Sequence, residues 1–203
     1  MSPKIVDKEA KKREIIQAAI QMFAQNGIAK TKMIDIAQTA KIGKGTIYEY
    51  FHSKDDIFGQ AFQHFYKDMQ TILEKAITAT DDPVEKLRLL FNISFSEFLE
   101  SSGDLAKIIM DFWAEGMRNK DEKILGIINL KQIYAEYRVL ISNILKEGIQ
   151  KGVFKEVDTM SLAAILIAAM DGVTLQWIME KDLLNIRQIS NVLLDVLLDG
   201  IKK

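Results

Sequence analysis

The segment Ala40–Phe51, AKIGKGTIYEYF, sets Lys41, Lys44, Tyr48 and Tyr50 around a thin apolar skeleton of Ile42, Ile47 and Phe51. So many phosphate-seeking groups on so short a stretch require a reason. Just upstream, Ile34, Ile36, Ala37 and Ala40 recur at helical spacing, so a short helix opens at Thr31 or Lys32. A further short helix starts near Gly43 or Lys44 and ends around Phe51. Ile36, Ala37, Ala40, Ile42, Ile47 and Phe51 then form a small core that locks the pair, with Lys44, Thr46, Tyr48 and Tyr50 on the other faces. Two short helices joined by a tight turn are the helix-turn-helix arrangement, whose second helix enters the major groove of DNA. Before them, Ile15, Ala18, Ala19, Met22 and Phe23 share one face of a first helix, roughly 7–26, which Asn26-Gly27 is expected to stop.

Charge supports this reading. Residues 1–55 contain ten Lys or Arg and six Asp or Glu, a net of +4, while the remainder contains seventeen and twenty-two, a net of −5, giving −1 overall. A basic head on an acidic body implies a polyanionic partner for the head only. With 203 residues, 48% of them hydrophobic and 27% charged, the composition is globular. The absence of cysteine excludes disulfides and thiolate metal sites. The first residues, MSPKIVDKEAKKRE, lack the apolar run of a secretory leader, and Asp171 closes the apolar run Leu162–Met170 well short of spanning length. A cytoplasmic protein with no membrane partner is expected.

Downstream, with only Pro3 and Pro83 in the chain, the helical period continues almost everywhere. Ser53 with Asp56 opens a long fourth helix to about Ala79, and Asp82-Pro83 opens a fifth to about Glu100. Gly103 and Asp104 introduce a sixth. A seventh runs from about Asp121 to Lys151-Gly152, an eighth starts at Asp158 or Thr159, and a ninth at about Asn185. The expected fold is all-α, about nine helices, with a head at 1–53 and a larger body at 54–203 for ligand binding and dimerisation. In the last helix the polar residues Gln188, Asn191, Asp195 and Asp199 leave an apolar surface too wide for one partner. The helix before it is apolar all round, with alanines at 163, 164, 168 and 169. A homodimer through these two helices would bury both surfaces.

The segment IDIAQTAKIGKGTIYEYFHSKDDIF, residues 34–58, resembles the DNA-binding segment of the TetR (tetracycline repressor) family of bacterial regulators. The resemblance extends over roughly residues 9–60, taking in Ala18-Ala19, Phe23 and Gly27. It implies that Thr46 contacts bases or phosphate, that Tyr48 contacts phosphate, and that Tyr50 lies beside the backbone where many members have histidine. Lys54 matches a phosphate-binding lysine. Lys32 replaces a common threonine, losing its capping oxygen but gaining reach toward a phosphate. Lys41 stands where the family usually has glycine, a substitution costing about 1 kcal/mol if φ is positive. Gly43 replaces a Ser or Thr N-cap, a loss of a few tenths of a kcal/mol.

The resemblance also implies a body that binds a small apolar or amphipathic effector, whose entry would move the fourth helix and weaken binding to a palindromic operator. Phe91, Asn92, Phe95, Asp111, Trp113, Tyr134, Tyr137, Arg138 and Trp177 are the expected lining; the carboxylate suits a cationic amphiphile and the arginine an acyl carboxylate or phosphate. Catalysis finds no support. Gly43-Lys44-Gly45 lacks the remaining glycines and the preceding strand of a phosphate loop, His52 and His64 have no second ligand nearby, and no GxSxG occurs. No cofactor or metal is expected. The competing expectation is a helical carrier or sensor of hydrophobic ligands with a vestigial DNA-binding head.

Overall fold

The computed structural model describes residues 7–97, 99, 105–111, 114, 126–180 and 184–203. Its secondary structure is helical throughout, apart from one isolated antiparallel bridge between Phe154 and Lys202. The chain forms two compact units. The described part of the first comprises residues 7–66, 105–111, 114 and 126–128, and that of the second comprises 67–97, 99, 129–180 and 184–203. The boundary between residues 66 and 67 falls inside one long helix.

In the first unit, helix α1 (Lys8–Lys30) is opened by Asp7, whose carboxylate accepts from the Glu9 and Ala10 amides. Its inner face buries Ile15, Ala18, Ala19 and Phe23. Gly27 interrupts it with φ 74° and ψ 157°, a combination open essentially to glycine alone. The chain does not leave the helix there as expected. It makes one further turn to Lys30, because Thr31 is buried and its hydroxyl donates to the Gly27 carbonyl at 2.8 Å. Helices α2 (Met33–Thr39) and α3 (Lys44–Tyr48) follow, and α4 (Lys54–Thr78) begins where the Ser53 hydroxyl accepts from the Asp56 amide. Phe58 on α4 meets Phe23 edge-on, with ring centres 6.3 Å apart.

In the second unit, α5 (Pro83–Phe91) is capped by Asp82 and continues as a π-helical turn, Asn92–Glu97. Helix α6 (Leu130–Gln150) starts at its cap Asn129 rather than near Asp121, which lies outside the described residues. Gly103, Asp104 and Trp113 are outside them as well. Asp158 and Asn185 cap α7 (Thr159–Met179) and α8 (Ile186–Ile201) as their sequence positions foretell. Leu87, Leu90 and Phe91 from α5, Ile141, Ile144 and Leu145 from α6, Ala163 and Leu166 from α7, and Leu194 and Leu198 from α8 share one core with Phe154. Glu147 bridges Lys86 and Lys151, each at 2.7 Å, and the two ammonium groups hold its carboxyl below the usual range, Lys151 more than Lys86.

Among the described residues α7 is the helix long and apolar enough to cross a membrane. Ala163, Leu166 and Ile167 pack into the core of the second unit, while most of the helix is left uncovered by the chain itself. Ala164, Ile165, Ala168 and Leu175 are exposed, as are Val192 and Val196 on α8. The excess apolar surface read from the sequence is therefore present on the folded chain.

Candidate nucleic-acid interface

The geometry of α2 and α3 follows from a few backbone bonds and four buried side chains. Asp35 accepts from the Lys32 amide at 3.0 Å and so fastens the first turn of α2, while the Lys32 side chain makes no capping bond and stays exposed. At the other end the Lys41 amide donates to Gln38 O (3.1 Å) and the Ile42 amide to Ala37 O (2.9 Å). This paired closure puts Lys41 at φ 55°, the left-handed position that glycine usually fills. Gly43 then caps α3 in an extended conformation without a side-chain bond.

Ile36, Ala37, Ile47 and Phe51 are fully buried beneath the pair. Their burial fixes what faces outward. Lys44 is exposed, Tyr48 is 47% exposed, and Thr46 and Tyr50 are half-buried. The exposed face of α3 thus offers a cation, a hydroxyl and a phenol within five residues, a set suited to groove edges and phosphates.

Lys54 departs from expectation. Its ammonium donates to the carbonyls of Ile28 (2.6 Å), Ala29 (2.9 Å) and Thr31 (3.2 Å), neutralising the orphan carbonyls at the end of α1. The side chain fastens α1 to the start of α4. Replacing Lys54 with methionine should lower the unfolding free energy by about 1–2 kcal/mol, since hydrogen bonds to charged groups contribute about 1.5–3 and the site is partly solvated. Urea denaturation of the variant checks this; an unchanged midpoint would return the lysine to a purely phosphate-binding role.

The expected effector residues fall in different places. Phe91, Phe95 and Trp177 are buried, Arg138 is half-buried and Asn92 is exposed. Asp111 is exposed and belongs to the first unit. Tyr134 and Tyr137 lie against the body core. The Tyr137 hydroxyl donates to Ser94 Oγ on the π-helical turn at 3.3 Å, and burial pushes its pKa up. Burial first, then the neighbouring Asp171 carboxylate, push Tyr134 up to about 12. Asp171 is itself raised by partial desolvation, offset by the hydrogen bond it accepts from Tyr134. Ser94 and Asp171 were not among the expected site residues. Asp171 had one signal, the charge that interrupts the apolar run of α7.

A helix-turn-helix head with a cationic, tyrosine-bearing third helix defines a DNA-binding protein. The chain belongs to the TetR family: the model for bacterial regulatory proteins of the tetR family matches residues 15–61, and that for the C-terminal region of BetI-type transcriptional repressors matches 83–201. It is 30% identical to a fatty acid metabolism regulator protein of Bacillus subtilis, covering 96% of this chain and 97% of that one. It is also 28% identical to the transcriptional repressor KstR2 of Mycolicibacterium smegmatis, over 99% of this chain and 96% of the other. Among solved structures, Bacillus subtilis FadR in complex with stearoyl-CoA superposes with a TM-score of 0.77 at 28% identity, over 93% and 98% of the two chains. The protein is a DNA-binding, ligand-responsive transcriptional repressor, and the carrier alternative is not favoured.

Proposed function

We propose that two copies of this chain bind a palindromic operator through Lys32, Lys44, Thr46, Tyr48 and Tyr50, and that a long-chain acyl thioester releases them. The observation that carries the DNA part is the exposure of Lys44 and Tyr48 on a helix whose opposite face, Ile47 with Phe51, is fully buried. Two such heads set about one turn of duplex apart would read successive major grooves. Joining the exposed apolar faces of α7 and α8, including Ile165, Val192 and Val196, to those of a second copy is the arrangement that removes them from water. The alanines at 164 and 168 let the helices approach closely.

The effector class follows from likeness to regulators named for fatty acid metabolism and to a structure holding stearoyl-CoA. The apolar core of the body suits an acyl chain, and Arg138, half-buried on α6, suits the phosphates of a coenzyme A thioester. Binding and release are coupled reciprocally, so operator must weaken the effector by the same factor. The test is a titration of the protein–operator complex with stearoyl-CoA, followed by fluorescence anisotropy and sedimentation. Two chains per operator and dissociation by stearoyl-CoA, but not by choline, are expected. Undiminished operator affinity at saturating acyl-CoA would sink the effector assignment.

A further inference from the structure

Lys41 is the one non-glycine with positive φ among the described residues, at 55°. Its conformation is imposed by the turn: the Lys41 amide bonds Gln38 O, the Ile42 amide bonds Ala37 O, and half-buried Ile42 anchors the chain beyond. Any residue at this position must adopt it, and a side chain with a Cβ is strained there where glycine is not. The strain brings no packing in return, because the Lys41 side chain is exposed. Nor does it bring an intramolecular ion pair. Among the described residues Lys30, Lys32, Lys41 and Lys44 are all exposed and unpaired, whereas Lys11, Lys12, Lys86 and Lys151 each meet a carboxylate.

A strained, unpartnered cation two residues before the cap of α3 therefore has its use outside the chain. We infer that Lys41 contacts a DNA phosphate at the edge of the groove that α3 enters, as a sequence-independent anchor gained at the expense of the turn's stability. The inference rests on the DNA-binding reading above and adds a residue to it. A phosphate contact fixes register without reading bases, so its loss should weaken every duplex equally.

The test uses the full-length protein and an operator selected from a random duplex pool. Lys41→Gly should move stability and binding in opposite directions. Its urea midpoint should rise, because the turn is relieved, while affinity at 0.15 M salt falls about fivefold for each copy on the duplex, the factor that one released counterion gives relative to 1 M, and so about thirtyfold for two copies. The slope of log affinity against log salt should shrink by about 0.9 for each copy of the variant on the duplex. Lys41→Asn, which tolerates the left-handed position without charge, should lose the same affinity, and Lys41→Arg should retain it. The scrambled duplex should lose the same factor. Unchanged affinity and slope in Lys41→Gly, with wild type binding its operator tightly, would overturn the role of Lys41 while leaving the repressor reading intact. Failure of wild type to select any duplex would overturn both.

Discussion

Replacing Gly148 with alanine is expected to destabilise the body by about 3 kcal/mol or more, at the upper end for an overpacked site. A Cβ on Gly148 would lie 2.1 Å from Cδ2 and 2.3 Å from Cε2 of Phe154, a ring that is fully buried. The ring cannot give way, because the chain around it is fastened on both sides. The Val153 and Phe154 amides both bond Gly148 O, at 2.9 and 3.1 Å, and beyond them the Lys155 amide bonds Ile201 O at 2.7 Å. Gly152, with φ 73°, makes the reversal that returns Phe154 onto α6. Phe154→Ala alone should cost about 3–5 kcal/mol through the cavity it leaves. In the double variant the new methyl occupies part of that cavity, so the two costs should fall short of their sum by at least about 1 kcal/mol. Urea denaturation of the four proteins measures the coupling; strict additivity would show that the clash is relieved elsewhere.

The second large effect lies on the DNA side. Lys44→Ala with Tyr48→Ala should reduce operator affinity about a hundredfold or more, since a good base contact contributes about 1–3 kcal/mol and the phenol adds a phosphate bond. Because both side chains are exposed, the unfolding free energy should change by no more than about 0.5 kcal/mol. Anisotropy titrations beside urea denaturation separate binding from folding. Loss of both together would mean that these residues hold the head in shape. Retention of operator affinity would remove α3 from the interface.

The head was largely legible because its information is local. The spacing of Ile36, Ala37, Ile47 and Phe51 marks the buried face, and the outward face follows by elimination. The left-handed position of Lys41 was legible too, as a departure from glycine where α2 must end. The body was harder. Asp82, Asp158 and Asn185 announced their helices, yet the start at Asn129 was passed over in favour of a position near Asp121, because an apolar period continues upstream and the break is a single capping bond. The end of α1 was misjudged for a related reason. Gly27 does break the helix, but Thr31 draws the chain back into one more turn.

By itself, then, the sequence determined the all-helical class, the helix-turn-helix, the family and the surplus apolar surface of the last two helices, since periodicity and caps depend on neighbours a few residues away. Only the tertiary structure decided that the Lys54 ammonium serves carbonyls 23 to 26 residues upstream, that Tyr137 meets Ser94, and that the Phe23 ring meets Phe58 edge-on. The physical reason is that a flexible side chain takes the nearest orphan acceptor, and a ring the nearest gap, once distant segments have been brought together; no local spacing encodes where those segments meet.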